Sequence, residues 1–88
     1  MWAVKLSKRA LKDKELLKAQ GLADKAKLIL ALLIDNPFKI PPTYEKLVGD
    51  LSGFYSRRIN RKHRIVYRVD EANHIIYVEA MWSHYEGL

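Results

Sequence analysis

The chain has 88 residues, room for a single domain, residues 1–88, with one modest core. It has no cysteine, which excludes disulfides and thiolate metal sites and suits a reducing cytoplasm. Sixteen Lys and Arg against ten Asp and Glu give a formal charge of +6 and a pI near 9.7, so the expected partner is anionic. The longest apolar run, residues 28–34, is seven residues long, far short of the roughly twenty that cross a membrane. Lys8, Arg9, Lys12, Asp13, Lys14 and Glu15 occupy the place where a secretory signal would need an apolar stretch. The expected location is therefore the cytoplasm.

Residues 2–6 read as an opening strand, with Trp2, Val4 and Leu6 on one face at period two. Ser7 can cap a helix over residues 8–20, whose partial apolar stripe is Ala10, Leu16, Leu17 and Ala19. Gly21 interrupts it as a C-terminal cap glycine would. A second helix is predicted over residues 22–34, where Ala23, Ala26, Ile29, Leu30 and Leu33 recur at helical spacing. Asn36-Pro37 ends it, because the residue before proline avoids the helical region. The two helices read as an antiparallel hairpin.

Residues 37–43 hold all three prolines and read as irregular. Residues 44–50 fit a short strand or a turn, with Gly49-Asp50 as the turn signal. Three strands follow, over residues 53–60, 64–69 and 74–82, linked by a basic turn begun by Asn60 and a polar turn over residues 70–73. Strand, two helices and a strand meander predict an α+β domain, with the N-terminal strand and helical hairpin packed on one face of an antiparallel sheet.

The charge is concentrated. Five of the six arginines lie between Arg57 and Arg68, and residues 51–69 carry six basic side chains and no carboxylate. A planar guanidinium matches phosphate geometry, so this pattern favours nucleic-acid contact over an ordinary solvated sheet face.

The run Leu51-Ser52-Gly53-Phe54-Tyr55-Ser56-Arg57-Arg58-Ile59, followed by His63-Arg64-Ile65-Val66-Tyr67 and by a near-terminal His84-Tyr85 pair, resembles the Txe/YoeB branch of the RelE toxins. Glu45 and Leu47 also fall at the family's positions, and the specific match covers about half the chain. Lys62, Val48 and the extension through Glu86, Gly87 and Leu88 depart from the pattern. The resemblance implies a RelE-like fold and a ribosome-dependent endoribonuclease that cuts mRNA in the A site by 2′-hydroxyl attack, without a metal or cofactor. It also implies an acidic Phd/YefM-like antitoxin, the 70S ribosome and mRNA as partners, and a possible homodimer.

Such chemistry needs a base, a cation for the developing phosphorane and an acid for the leaving oxygen. The resemblance assigns these to Glu45, Arg64 and His84, with Tyr85 stacking on a base or reaching a phosphate. Arg57, Arg58, Arg61, Lys62 and Lys46 are the expected RNA contacts. Taken without the family, Glu45 reads as an exposed loop glutamate, and either Arg58 or Arg64 as a solvated arginine. Trp82 and Tyr55 read as packing residues, and His63 as part of the sheet's architecture. Two other readings stay open: a non-cleaving ParE-like toxin acting on gyrase through protein contacts, and an RNA- or ribosome-binding module that keeps the arginines without the catalytic set.

Overall fold

Local chemistry sets most element boundaries in the structure, a computed structural model that describes residues 1–82. The order is β1 (Ala3–Leu6), α1 (Lys8–Ala19), α2 (Ala23–Asp35), β2 (Glu45–Lys46), a 3₁₀ turn (Gly49–Leu51), β3 (Phe54–Arg58), β4 (Arg64–Asp70) and β5 (Ile75–Ala80). Ser7 caps α1 by accepting from the Ala10 amide at 3.0 Å, and its hydroxyl donates to the Glu79 carbonyl at 2.8 Å. One serine thereby satisfies a helix start and fastens it to the sheet. At the other end Gly21 takes φ +72°, while the Leu22 amide donates to Leu17 and the Gly21 amide to Lys18. That is a Schellman ending, which needs the left-handed region open to glycine.

The strands lie in the order β1-β5-β4-β3-β2. β3, β4 and β5 form the expected antiparallel meander. β1 departs from the expectation: it pairs parallel to β5, Ala3 opposite Ile75 and Leu6 opposite Val78, so the sheet is mixed. Residues 2–6 carry a face preference but nothing that fixes a partner's direction. The chain between them, through both helices and strands β2 to β4, supplies the long connection that a parallel neighbour requires.

Both helices pack on one face. Ala10 and Leu17 of α1, Ala26 and Leu33 of α2, and Ile65, Tyr67, Ile76 and Val78 of the sheet form the main core, with Trp2, Val4 and Leu6 packed against it. Two expectations from the first apolar stripe fail, since Leu16 and Ala19 are exposed, and Leu28 of α2 is exposed as well. Leu28 lies two residues from buried Ala26, roughly 200° around the helix, and a helix lying on a sheet buries only one stripe. Asp13 takes an inward place instead; its Oδ2 accepts from the Met81 amide at 3.0 Å.

The opposite face carries a second, smaller cluster of Leu47, Val66 and Ala80, flanked by Leu51 and Phe54. It exists because β5 slips register: Val78 faces Tyr67, but Ala80 faces Val66, leaving Glu79 as an extra residue. The slip turns Ala80 to the second face and returns Met81 to the main core. Beyond it, the Arg64 amide donates to the Trp82 carbonyl at 2.9 Å. The His63 ring stacks on Trp82 with centroids 4.1 Å apart.

Two measurements check this packing. In urea denaturation Leu33→Ala should lose about 2–5 kcal/mol, the range for emptying a buried leucine site. Leu28→Ala should stay within about 0.5 kcal/mol. The second concerns pH. Burial, with a smaller contribution from Lys62, holds the His63 imidazole below its ordinary 6.5. In the unfolded chain His63 takes a proton as pH falls through about 6.5, while in the fold it does so only at lower pH. Between those points the unfolded state binds more protons, so stability is full above about pH 6.5 and declines below it. Thermal melts from about pH 7.5 to about pH 5 should show this decline, and His63→Phe, which keeps a ring on Trp82, should flatten it. An unflattened slope would assign the titration to another group.

Candidate functional site

The site forms at the open end of the β2-β3-β4 corner, on the face away from the helices. Antiparallel pairing sets Glu45 opposite Ser56, Ser56 opposite Val66, and Arg58 opposite Arg64. Side chains opposite one another share a face, so Glu45, Ser56, Arg58 and Arg64 all project the same way. The Arg64 Nη1 donates to Glu45 Oε1 at 3.4 Å, with the Arg64 side chain 19% exposed and that of Glu45 56% exposed. A pair this long and this open to water is worth no more than about 1 kcal/mol. It yields readily to a better anion for Arg64. Ser56 is buried, and its hydroxyl has no hydrogen-bond partner among the described residues.

The basic turn projects beside this pair. Asn60 Oδ1 accepts from the amides of Lys62 and His63 at 2.9 and 2.7 Å, folding residues 60–63 back so that the Ile59 amide reaches the His63 carbonyl at 2.8 Å. Arg58, Arg61 and Lys62 stand exposed around it. Lys46 follows Glu45 along β2 and faces Tyr55, so the pleat points it to the opposite side of the sheet. His84 and Tyr85 lie outside the described residues.

Arg57 overturns its expectation as an RNA contact. It is 1% exposed. Its Nε donates to the Tyr67 hydroxyl at 3.1 Å, Nη1 to the Pro42 carbonyl at 2.6 Å and Nη2 to the Pro37 carbonyl at 2.9 Å. Tyr67 in turn donates to Pro37 at 3.0 Å. The guanidinium lies 5.0 Å from the Tyr44 ring centroid, within a group of rings formed by Phe38, Tyr44, Tyr55 and Tyr67. No phosphate can reach a cation enclosed in this way. Burial raises the Tyr67 phenol above its ordinary 10.0, against the opposing hydrogen bond from Arg57, so the hydroxyl remains a donor.

Two signals in the sequence point to this. Tyr55, Arg57 and Ile59 share one parity in β3, the parity that faces the core, whereas Arg58 has the other. The segment 37–42 also contains three prolines with no amide hydrogen, leaving carbonyls that need donors from elsewhere.

Chemically, the arrangement offers a carboxylate able to accept a proton, held next to a permanent cation and flanked by exposed arginines. Among the described residues no three acidic or histidine side chains converge as a metal site would require.

Comparison with known proteins agrees with this architecture. Residues 7–85 match the family model described as the YoeB-like toxin of bacterial type II toxin-antitoxin systems. Toxin YoeB of Streptomyces coelicolor is 40% identical over 57 residues, spanning 65% of this chain and 66% of that protein. Among solved structures, a YoeB/ParE toxin from Agrobacterium tumefaciens superposes with a TM-score of 0.84 at 27% identity, covering 94% of this chain and 99% of that one. YoeB of Staphylococcus aureus, solved in a heterotetrameric complex with YefM, gives 0.79 at 30% identity over 97% of this chain and 99% of that one, and it has also been solved as a dimer. Family match, relatives and fold coincide, and the chain belongs to the YoeB-like toxins of bacterial type II toxin-antitoxin systems.

Proposed function

We propose that this toxin is an endoribonuclease that cuts mRNA in the ribosomal A site and so stops translation. The observation that carries the reading is the Glu45–Arg64 pair, placed on an open sheet face beside exposed Arg58, Arg61 and Lys62 in a chain of this family. Glu45 takes the proton of a ribose 2′-hydroxyl, and the 2′-oxygen attacks the adjacent phosphorus. Arg64 turns from Glu45 to the phosphate and stabilises the added negative charge of the phosphorane. The bond from phosphorus to the 5′-oxygen then breaks, and His84 gives that oxygen its proton. The products are a 2′,3′-cyclic phosphate and a 5′-hydroxyl, and no step calls on a metal ion. Tyr85 holds a base or phosphate, while Arg58, Arg61 and Lys62 engage the RNA backbone; Lys46, turned to the other side of the sheet, is not among these contacts.

The same cationic corner suits an acidic antitoxin; the Staphylococcus YoeB is solved in a toxin-antitoxin complex with YefM, and pairing with a second copy follows the dimer of that relative. The whole chain acts as one toxin domain working in the cytoplasm, where ribosomes are. The name YoeB/ParE attached to the Agrobacterium neighbour favours one second reading, a toxin that binds gyrase and cuts nothing.

The test is single-turnover cleavage on programmed ribosomes. Wild type should cut within the A-site codon, and Glu45→Gln, Arg64→Ala and His84→Ala should each fall by about a hundredfold or more, the scale of a lost acid, base or charge contact. A wild type that binds gyrase and leaves mRNA intact removes the nuclease reading.

A further inference from the structure

We infer that Arg57 is a positioning residue for the cleavage reaction: its guanidinium fixes the proline segment that delivers Glu45 to the sheet. This rests on the proposed role of Glu45 as base. The segment 37–44 runs from the end of α2 to the start of β2 and contains no helix or strand. Pro37, Pro41 and Pro42 donate no backbone hydrogen bond, so the segment cannot fasten itself by a ladder. Arg57 fastens it at both ends, through the Pro37 carbonyl at 2.9 Å and the Pro42 carbonyl at 2.6 Å. Glu45 begins three residues after Pro42.

The geometry makes this a job for a guanidinium. The carbonyls of Pro37 and Pro42 and the hydroxyl of Tyr67 are met by three N–H groups in one rigid plane. A lysine ammonium has the charge but not the fork, and cannot hold three acceptors in that arrangement. Tyr44, the residue before Glu45, has its ring 5.0 Å from the same guanidinium and 5.6 Å from Tyr55. Arg57 also follows Ser56 on β3, and Ser56 is the register partner of Glu45. β3 therefore holds the carboxylate's backbone on both sides of the sheet, by strand pairing on its edge and by Arg57 through the helix-side face. β2 itself is two residues long, too short to set its own position. Small displacements of a reacting group cost rates out of proportion to their size.

The experiment is a double-mutant cycle. Single-turnover cleavage on programmed ribosomes is measured for Arg57→Lys in the wild-type and Glu45→Gln backgrounds, with thermal melting of every variant. In the wild-type background Arg57→Lys should lower the maximal rate by about tenfold to a hundredfold, while the concentration for half-maximal rate moves less than about twofold. In the Glu45→Gln background the same substitution should change the rate less than about twofold, because the group through which it acts is gone. Amide exchange of Phe38 and Lys39, the hydrogen-bonded amides of this segment, should quicken at temperatures where the helix and sheet amides stay protected.

A full Arg57→Lys effect in both backgrounds overturns the inference, as does a silent Arg57→Lys in a chain where Glu45→Gln is inactive. Loss of rate that only follows loss of folded protein overturns it too. If Glu45→Gln cuts as fast as wild type, the assignment of Glu45 as base has failed, and the positioning role goes with it. Should Arg57→Lys not fold, Tyr67→Phe takes its place in the same cycle, since it removes the hydroxyl linking Arg57 Nε to Pro37 and leaves the ring in the core.

Discussion

One buried cation organises the half of the molecule that carries the site. A charged group out of water is costly unless its hydrogen bonds are met, and Arg57 meets them without a carboxylate among the described residues. Its acceptors are two proline carbonyls and a phenol. Those carbonyls face inward because the segment that bears them has few amides to pair with. Donor excess on β3 and acceptor excess in the proline segment answer each other, and the aromatic rings around them keep water out. The β2 edge, with its two residues, stands on that exchange.

The sheet is used on both faces, for different ends. The helix side holds the large core, and β1 closes that side by bringing Trp2, Val4 and Leu6 into it. The other side keeps only a small apolar cluster at its centre and leaves the corner beyond it to charged groups. The division follows from strand alternation: Tyr55, Arg57, Ile65 and Tyr67 go one way, Ser56, Arg58, Arg64 and Val66 the other. The extra residue at Glu79 adjusts the match, so that the end of β5 meets Asp13 of α1 on one side and Val66 on the other.

Much of this was legible in the sequence. Ser7, Gly21 and Asn36-Pro37 marked their helix ends because capping and proline sterics are local. The three-strand meander followed from alternation and polar turns. The direction of β1 was not legible, since pairing with a strand more than seventy residues away leaves no trace in four residues. The site divided in the same way. That Glu45 and Arg64 meet is a matter of register across three strands, and only the family resemblance pointed to it. The density of arginines alone does not tell Arg57 from Arg58; their parity in β3 does. In a strand, adjacent arginines face opposite sides of the sheet, one here the core and the other water, and Arg57 and Arg58 have opposite fates for that reason.

The strand order has a consequence for how such a protein is made. Among the described residues β5 comes last in sequence, yet it lies between β1 and β4. A nascent chain that has reached only as far as Asp70 can form its helices and a β3-β4 hairpin, but β1 has no neighbour and the two halves of the core have nothing between them. The sheet closes only when β5 enters between β1 and β4, a pairing of long sequence separation. A translation product truncated before Ile75 lacks the strand that joins β1 to β4, and so has no closed sheet with which to act.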